Sequence, residues 1–319
     1  MKKFEVVAVG AAVKDIMILH PLVTHNKKKN LLEIPAGGKI PLQEVFVNYG
    51  GGAMNVSVGL NNFGVKVAPM IKVGKDLVGK EIYFHLRKEG IDSSLVQTDA
   101  YEQTGFSIVI ASESDREHVL FTRKGASKKL KIENLSAFSS EWFYLAALDM
   151  DDWQSEADKI FRQTKKGSKI YWNPGVRQLN DWKKMLKYLP LTEVLTINRA
   201  EAEDLIRNMN PKISRIILAN PKTLLVKLKE LGAKNVIITQ GGRGVIALDA
   251  QGVHYYYPAI GDKHKIVDTV GAGDAFGSGF LASFIRWNSF SKSLQMGLRN
   301  GSHVLYRIGA QNGLLKIKL

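Results

Sequence analysis

The part of this sequence most suited to chemistry is residues 268–280, which read DTVGAGDAFGSGF. Gly271 and Gly273 permit unusual backbone dihedrals and let another molecule approach the backbone closely. Apolar residues recur at helical spacing after Asp274, so the stretch predicts a glycine turn that leads into a helix. Backbone N–H groups at such a helix start have no intrahelical partner and lie at the positive end of the helix dipole. The amides of residues 271–274 are therefore suited to hold a phosphoryl group.

Asp274 places a carboxylate inside this predicted anion site. A carboxylate at a helix start ordinarily caps the helix by accepting hydrogen bonds from one or two backbone amides. For a lone Gly-x-Gly-Asp sequence, the capping interpretation is the better one. The alternative, a catalytic carboxylate beside a bound phosphoryl group, depends on agreement with motifs elsewhere in the chain.

Two polar residues in the N-terminal part follow a predicted strand or a glycine turn. Residues 4–9 predict a buried strand, and Asp15 comes after it in a turn-like segment. Such a position often lies at the ligand crevice of an open α/β sheet, so Asp15 could bind a hydroxylated ligand; a turn or helix cap is equally compatible. The glycines at 50–52 precede a predicted helix, and Asn55 could exchange hydrogen bonds with ligand hydroxyls there. For the glycines alone, a flexible linker is the alternative.

Two further motifs follow predicted strands in the second half of the chain. Asn198 and Glu201 match a capping box, which would simply begin a helix. The same pair could instead hold Mg²⁺-bound water and phosphate oxygens, because Mg²⁺ keeps several waters and takes few protein ligands. The glycine-rich loop 240–244 could be an ordinary hairpin. It could also cover nucleotide phosphates, with Thr239 and Arg243 as donors.

The elements that must position these residues alternate between strands and helices from residue 142 onward. This alternation indicates βαβ units and a mainly parallel sheet that helices cover on both faces. Two segments, 17–48 and 104–122, lack a helical pattern and predict hairpins of a small separate sheet. The predicted strands of the regular part are residues 142–148, 169–173, 193–197, 235–239 and 245–248, and its predicted helices are residues 153–165, 181–188 and 294–307.

Composition narrows the class of protein. The chain has 319 residues, 45% hydrophobic content, no cysteine and a formal net charge of +15. The absence of cysteine excludes a disulfide scaffold and thiolate metal sites. The basic residues are scattered without interleaved aromatics, which favours a solvated basic surface over a nucleic-acid interface. The apolar start is too short for a signal sequence and no stretch reaches bilayer-spanning length, so we expect a soluble cytoplasmic protein without membrane contact.

Taken together, the motifs resemble those of the ribokinase-like carbohydrate kinases, also called the phosphofructokinase-B type. The resemblance covers essentially the whole chain, and the motifs stand in the family's order. They are Asp15, Gly50-Gly51-x3-Asn55, Asn198-x2-Glu201, Thr239-x-Gly241-x2-Gly244 and Asp268-Thr269-x-Gly271-Ala272-Gly273-Asp274. The resemblance implies one kinase domain over residues 1–319, a Rossmann-like three-layer α/β/α sandwich with a mainly parallel central sheet. Segments 17–48 and 104–122 would form a small β-sheet lid.

The activity that the resemblance implies is transfer of the γ-phosphoryl group of ATP to a hydroxyl of a small sugar, with Mg²⁺. Asp274 would be the base that takes the hydroxyl proton, and Gly271, Ala272 and Gly273 would form the anion hole. This division is physically reasonable, because phosphoryl transfer needs mostly positioning and charge stabilisation. The other implied roles are acceptor binding for Asp15, Gly51, Gly52, Asn55 and Asp149, nucleotide binding for Asn198, Thr239, Gly241 and Gly244, and metal binding for Glu201 and Asp268.

Departures from the family pattern bear on the substrate and on a second cation. Ribokinases proper tend to have Lys-Gly-Ala between the paired glycines and the Asn, where this chain has Gly52-Ala53-Met54. The smaller Gly52 and the bulkier Met54 argue against ribose itself. Some members bind a monovalent cation beside the anion hole, and the tail segment Gly309-Ala310-Gln311 matches their pattern. K⁺ is therefore a further candidate cofactor.

Two alternatives to a sugar kinase remain at this stage. One is a nucleoside kinase of the same fold, and the other is a basic, non-catalytic member that binds nucleic acid. The carboxylate at Asp274 argues against the second, because a pure binding protein needs no base in an anion hole. The predicted lid would expose apolar surface and strand edges, so we also expect a homodimer formed through the lid.

Overall fold

The computed structural model describes residues 1–42, 44–115 and 117–319. Gln43 and Arg116 lie outside the described residues. Each falls within one of the two predicted lid segments, 17–48 and 104–122.

Strands occur along most of the chain, and helices separate many of those that follow residue 138. The strands are β1 (Lys2–Val9), β2 (Val13–His20), β3 (Thr24–Asn26), β4 (Leu31–Glu33), β5 (Val45–Gly50), β6 (Val67–Met70), β7 (Lys72–Gly74), β8 (Gln97–Asp99), β9 (Gly105–Ser112), β10 (His118–Arg123), β11 (Phe138–Leu145), β12 (Lys169–Trp172), β13 (Val194–Asn198), β14 (Asn235–Thr239), β15 (Val245–Leu248) and β16 (His254–Tyr257).

Helices supply the outer layers and several of the connections. The α-helices are α1 (Gly52–Asn62), α2 (Leu77–Lys88), α3 (Trp153–Phe161), α4 (Val176–Asn180), α5 (Trp182–Met185), α6 (Arg199–Met209), α7 (Arg215–Ala219), α8 (Pro221–Glu230), α9 (Ala272–Trp287) and α10 (Phe290–Val304). Short 3₁₀ helices cover Gly125–Lys129, Arg162–Lys166, Leu186–Leu191, Gly241–Arg243 and Lys263–Lys265.

The main sheet has the strand order β16-β15-β14-β13-β12-β11-β1-β6. Its strands from β14 to β6 pair in parallel, whereas β15 and β16 pair antiparallel. Parallel strands are joined by crossovers, usually helices, so both faces of such a sheet become buried. The predicted mainly parallel sheet is confirmed.

Two apolar cores lie on opposite faces of this sheet. On β1, Val7 and Val9 belong to the core that contains residues of α3, α6 and α8, whereas Val6 and Ala8 belong to the core that contains residues of α1, α2, α9 and α10. Successive strand side chains point to opposite faces, so a continuous apolar strand supplies both cores. The result is the predicted three-layer α/β/α sandwich.

Several element predictions were wrong in detail. The helix predicted at residues 181–188 is shorter than expected: α5 ends at Met185, and the chain continues as the 3₁₀ helix Leu186–Leu191. This 3₁₀ helix contains Pro190, which lacks an N–H and cannot continue an α-helix. The stretch between the predicted strands that end at 197 and begin at 235 contains α7 and α8 as well as α6. Asn220 caps α8 through the backbone N–H of Lys222 at 3.0 Å, and Pro221 stands at the first helical position.

A smaller sheet has the order β10-β9-β2-β5. The predicted hairpin is present as β9 and β10, and the first predicted lid segment contributes β2 and β5, although β2 already begins at Val13. One face of this sheet lines a cavity through residues such as Asp15 and Ser107. The register places a set of apolar residues on the opposite face, which we call the outer apolar face: Ile16, Ile18, Val45, Val47, Ile108, Ile110, Val119 and Phe121. A lid function for this sheet stays a prediction.

Among the described residues, no helix combines the length and apolar character needed to span a membrane.

Candidate active site

The first turn of α9 lies between two cavities. The larger cavity, of about 1270 Å³, is lined in this region by Thr269, Ala272 and Gly273. The smaller cavity, of about 280 Å³, is lined by Gly271 and Asp274. The glycine turn predicted from sequence therefore contributes to both spaces.

The turn before α9 is tied to the C-terminal tail. Gly271 has φ of 79°, and a Cβ atom there would clash with the Cβ of Ala310, so the position requires glycine. Asp268 accepts hydrogen bonds from the backbone N–H of Val270 at 3.0 Å and of Gly309 at 2.9 Å. Its buried carboxylate thus joins the glycine turn to the tail.

Asp274 is the third residue of α9 and points into the smaller cavity. Its carboxylate accepts a hydrogen bond from Asn55 Nδ2 at 2.8 Å. Among the described residues, the hydrogen bond to this carboxylate comes from the Asn55 side chain and not from a backbone amide of the helix start, so the capping interpretation of Asp274 is wrong. The surrounding protein replaces water, and this desolvation raises the pKa of Asp274 to about 6, although the Asn55 hydrogen bond opposes the rise.

The residues predicted to bind the acceptor lie together around the smaller cavity. Asp15 accepts a hydrogen bond from the Ser107 hydroxyl, and burial raises its pKa. Gly51 has φ of 93°, and a Cβ there would lie 2.5 Å from the Ala11 carbonyl oxygen. The predicted site residues that line this cavity are Asp15, Gly51, Gly52, Asn55, Asp149, Asp268, Gly271 and Asp274.

Sequence reasoning missed part of this cavity. Lys124 forms an ion pair with Asp149, and both line the cavity. Ser107 lies on β9, and His118 and Thr122 lie on β10. The alternation of residues 104–112 and 117–122 could have identified these inward positions, but only after the register with β2 was known. Lys124 follows the hairpin and carried no sequence signal.

The larger cavity contains the predicted nucleotide loop. Thr239, Gly241 and Gly244 line it, together with Arg243. Gly241 has φ of 54° and faces open space, whereas a Cβ at Gly244 would clash with the Tyr257 carbonyl oxygen. Lining residues that sequence reasoning missed come from β16, the segment after it, α10 and the turn that follows α10: Tyr256, Ile260, Gly261, Gly301, Ser302 and Tyr306.

Asn198 and Glu201 form a complete capping box at the start of α6. The Glu201 backbone N–H donates to Asn198 Oδ1, and the Asn198 backbone N–H donates to Glu201 Oε2, both at 2.9 Å. Burial raises the pKa of Glu201. Among the described residues, Arg199 lines the larger cavity, but neither Asn198 nor Glu201 lines either cavity. The capping interpretation is confirmed, and the metal role stays a prediction.

Comparison with known proteins gives the family context. Residues 18–317 match the pfkB family carbohydrate kinase. A curated relative, the ribokinase of Haemophilus influenzae, is 24% identical over 279 residues, which is 85% of this chain and 86% of that protein.

Solved structures share the fold. The nucleoside kinase of Methanocaldococcus jannaschii has a TM-score of 0.77 at 22% identity, with 98% of this chain and 96% of that chain covered. Arabidopsis thaliana ribokinase, complexed with ribose and ATP, has a TM-score of 0.76 at 20% identity, with the same coverage of 98% and 96%. An Escherichia coli ribokinase II complexed with ATP and Mg²⁺ has a TM-score of 0.75 at 20% identity, again with 98% and 96% covered. These likenesses confirm the predicted fold.

Proposed function

Because the chain belongs to the pfkB family of carbohydrate kinases, we propose that it transfers the γ-phosphoryl group of ATP to a hydroxyl of a small neutral sugar. Phosphoryl transfer to an alcohol group is the general activity of this family. The observation that carries the proposal is that the glycine turn and the start of α9, which includes Asp274, contribute lining residues to both cavities. An acceptor in the smaller cavity and a nucleotide in the larger one could therefore bring the attacking hydroxyl and the γ-phosphate together at the first turn of α9.

Each part of this turn has a role in the proposed reaction. Asp274, in the ionised form that predominates above pH 6, accepts the proton of the attacking hydroxyl. The backbone amides at Gly271, Ala272 and Gly273 stabilise charge on the transferred phosphoryl group. Thr239, Gly241 and Gly244 lie in the larger cavity, where we place ATP.

The lining of the smaller cavity supports a sugar over a nucleoside. Its volume, about 280 Å³, lies just below the range of about 300–1,000 Å³ that is usual for pockets of drug-sized ligands. The described lining residues include no Phe, Tyr or Trp on which a base could stack. The nucleoside alternative rests on the similarity to the Methanocaldococcus jannaschii enzyme.

Charge around the smaller cavity supports a neutral acceptor. Its described lining contains four carboxylates and one lysine, Lys124. The carboxylates belong to Asp15, Asp149, Asp268 and Asp274. Lys124 is engaged by Asp149. A phosphorylated or acidic sugar would bring a further negative charge towards these carboxylates, which disfavours its binding.

An acceptor panel with ADP release as the readout tests the proposed function. Neutral monosaccharides should be phosphorylated with a higher kcat/KM than nucleosides, sugar phosphates or sugar acids. A nucleoside preferred over every sugar would replace the proposal by the nucleoside alternative. Steeply salt-dependent nucleic-acid binding without any phosphotransfer would favour the binding-protein alternative instead.

Mg²⁺ is proposed as the cofactor that accompanies ATP. When bound, it would neutralise charge on the phosphate oxygens. The Glu201 carboxylate is compatible with this role, because the Asn198 backbone N–H donates to Oε2, so that among the described residues Oε1 is available for a water of the hydrated ion. Asn198 would support the same water network. Asp268 joins the glycine turn before α9 to the C-terminal tail. Its predicted roles in binding Mg²⁺ and K⁺ stay predictions.

Replacement of Glu201 by Gln separates the metal role from the capping role. Gln retains an oxygen that can accept the Asn198 N–H, so the melting temperature should stay nearly unchanged. Loss of the charge should weaken the Mg²⁺ dependence and lower turnover by roughly 10–100-fold. Asp204→Asn on the exposed face of the same helix serves as the matched control. Equal losses of stability and activity in Glu201→Gln would favour a purely structural role.

A homodimer through the outer apolar face is part of the same proposal. Val47 and Phe121 on this face are 52% and 59% exposed, although both are large apolar residues within strands. Contiguous exposed apolar surface on a sheet usually marks an interface. Sedimentation should therefore give the mass of a dimer at micromolar concentration, and Phe121→Glu should give a folded monomer. A wild-type protein that stays monomeric with acceptor bound would remove the dimer proposal.

We also propose that the protein is located in the cytoplasm.

A further inference from the structure

A chain of side-chain hydrogen bonds connects Asp274 with helix α2. Asn55 Nδ2 donates to Asp274 Oδ2 at 2.8 Å, and Gln311 Nε2 donates to Asn55 Oδ1 at 2.9 Å. His85 Nε2 lies 2.8 Å from Gln311 Oε1. The chain therefore joins residues of α9, α1, the C-terminal tail and α2, which are far apart in sequence.

The ionised carboxylate determines the direction of every bond in this chain. Asp274 without its proton can only accept, so Asn55 must present its NH₂ group to it. The Asn55 oxygen then faces Gln311, which must present its own NH₂ group. The Gln311 oxygen in turn accepts from His85, which requires the tautomer with hydrogen on Nε2. All N–H groups of the chain thus point towards the carboxylate.

We propose that Gln311 and His85 are positioning residues for phosphoryl transfer, because together they hold the NH₂ group of Asn55 against Asp274. The proposal rests on the proposed function, in which Asp274 is the base. Gln311 and His85 act through Asn55 and touch neither acceptor nor phosphate. Gln311 belongs to the tail segment in which the sequence predicted a K⁺ site, and its contact with Asn55 gives that segment a second role.

The chain opposes the effect of burial on the base. Desolvation raises the pKa of Asp274, and the hydrogen bond from Asn55 lowers it. Without Gln311, the Asn55 amide could rotate and turn its oxygen towards the carboxylate, and the resulting repulsion would favour the protonated, inactive base. The Tyr49 ring packs on His85 with 4.8 Å between ring centroids, which restrains the imidazole at the far end.

The other ionisable groups near the base are distinct from the two hydrogen-bond partners of the Gln311 side chain, which are Asn55 and His85. The phenols of Tyr144 and Tyr171 are fully buried and sense the charge of Asp274, and Tyr144 packs against Gly277 of α9. The ionisable groups that share the smaller cavity with Asp274 are Asp15, His118, Lys124, Asp149 and Asp268. A change in the titration of Asp274 in a Gln311 variant therefore reports on the hydrogen-bond chain.

Two substitutions of Gln311 test the proposal. Gln311→Leu removes both bonds at similar size, and we expect kcat to fall about 10–100-fold with an unchanged KM for ATP. The acid limb of the kcat–pH profile should move to higher pH, because the base loses its oriented donor. Gln311→Glu keeps the shape but can only accept, so it should move the acid limb at least as far. His85→Leu should have a smaller effect in the same direction, and His85→Gln, which retains a donor, should restore most of the activity.

Asn312→Ala is the matched control, because Asn312 lies in the same tail and bonds to Asn48 and to the Ile308 carbonyl rather than to Asn55. Its profile should match wild type. If wild type is active and Asp274→Asn is not, an unchanged kcat and pH profile in both Gln311 variants overturns the positioning role and leaves the kinase function intact.

A titration by carboxyl ¹³C NMR keeps the two proposals separate. In folded Gln311→Leu or Gln311→Glu, the pKa of Asp274 should rise above its wild-type value, whether or not an acceptor is found. If the pKa of Asp274 is unchanged in a folded Gln311 variant, the proposed role of the hydrogen-bond chain is refuted. Failure of wild type to phosphorylate any acceptor refutes only the proposed function.

Discussion

Replacement of Asp274 by Asn should lower turnover by about 10²–10⁴-fold, the usual contribution of a positioned general base. Asn retains the size of the side chain and an oxygen that can accept the hydrogen bond from Asn55. It cannot take a proton from the attacking hydroxyl. ATP affinity should change little or improve, because a negative charge near the γ-phosphate is removed. Single-turnover measurements with the best acceptor of the panel would give the chemical step directly.

The pH dependence of wild type supplies a second test of the base. Since the pKa of Asp274 is raised to about 6, turnover should fall as the pH drops through that value and protonates the carboxylate. The residual activity of Asp274→Asn should lack this acid limb. Asp274 raises stability only at low pH: its stabilising contribution is present below the pKa of an unfolded Asp and is lost as the pH rises through about 6. The Asn variant should therefore melt at the same or a higher temperature than wild type at pH 7.

Two results would contradict the role of Asp274 as base. One is turnover of Asp274→Asn close to the wild-type rate. The other is a loss of activity accompanied by an equal loss of thermal stability, which would mean that the carboxylate supports the fold. Either result would remove the main reason for preferring a kinase to a binding protein of this fold.

The glycine turn and α9 could be predicted because their signals are local. Two glycines, a carboxylate and a helical apolar repeat all fall within residues 268–280, and α9 begins at Ala272. The parallel sheet could be predicted equally well, since buried parallel strands are apolar on both faces and alternate with helices. Asn198 and Glu201 likewise form the capping box that their spacing predicts.

The features that could not be predicted depend on contacts between distant parts of the chain. Asn55 was expected to face acceptor hydroxyls, and its hydrogen bonds to Asp274 and Gln311 arise only when α1, α9 and the tail meet. The local sequence signals at Asp274, which are neighbouring backbone amides and the positive end of the helix dipole, favour the ionised form and thus a lowered pKa. Burial instead raises the pKa, and burial is a property of the assembled layers.

Alanine at Gly273 should lower turnover strongly without loss of stability, whereas alanine at Gly271 should lower both. The two positions differ in the space available for a Cβ atom and in backbone conformation. A Cβ at Gly273 would meet no atom within 4 Å, and its φ is not positive. Gly273→Ala should therefore fold normally and gain about 0.4–1 kcal/mol of stability, since Ala loses less conformational freedom. Its methyl group would nevertheless project into the space beside the first turn of α9, where the phosphoryl group is proposed to lie. A displacement of about 1 Å there can cost about 10²-fold in turnover.

Gly271→Ala should behave differently and serves as the comparison. With φ of 79° and a clash with Ala310, its Cβ would disturb the junction of the turn and the tail, so stability and activity should fall together. Thermal melts and kcat with saturating ATP distinguish the two variants. Gly273→Ala should keep or raise the melting temperature while losing turnover, because an anion site made of backbone amides is sensitive to side-chain bulk. If Gly273→Ala turned over at the wild-type rate, the phosphoryl group could not bind against this turn, and the anion-hole assignment of residues 271–273 would have to be abandoned even if Asp274 proved essential.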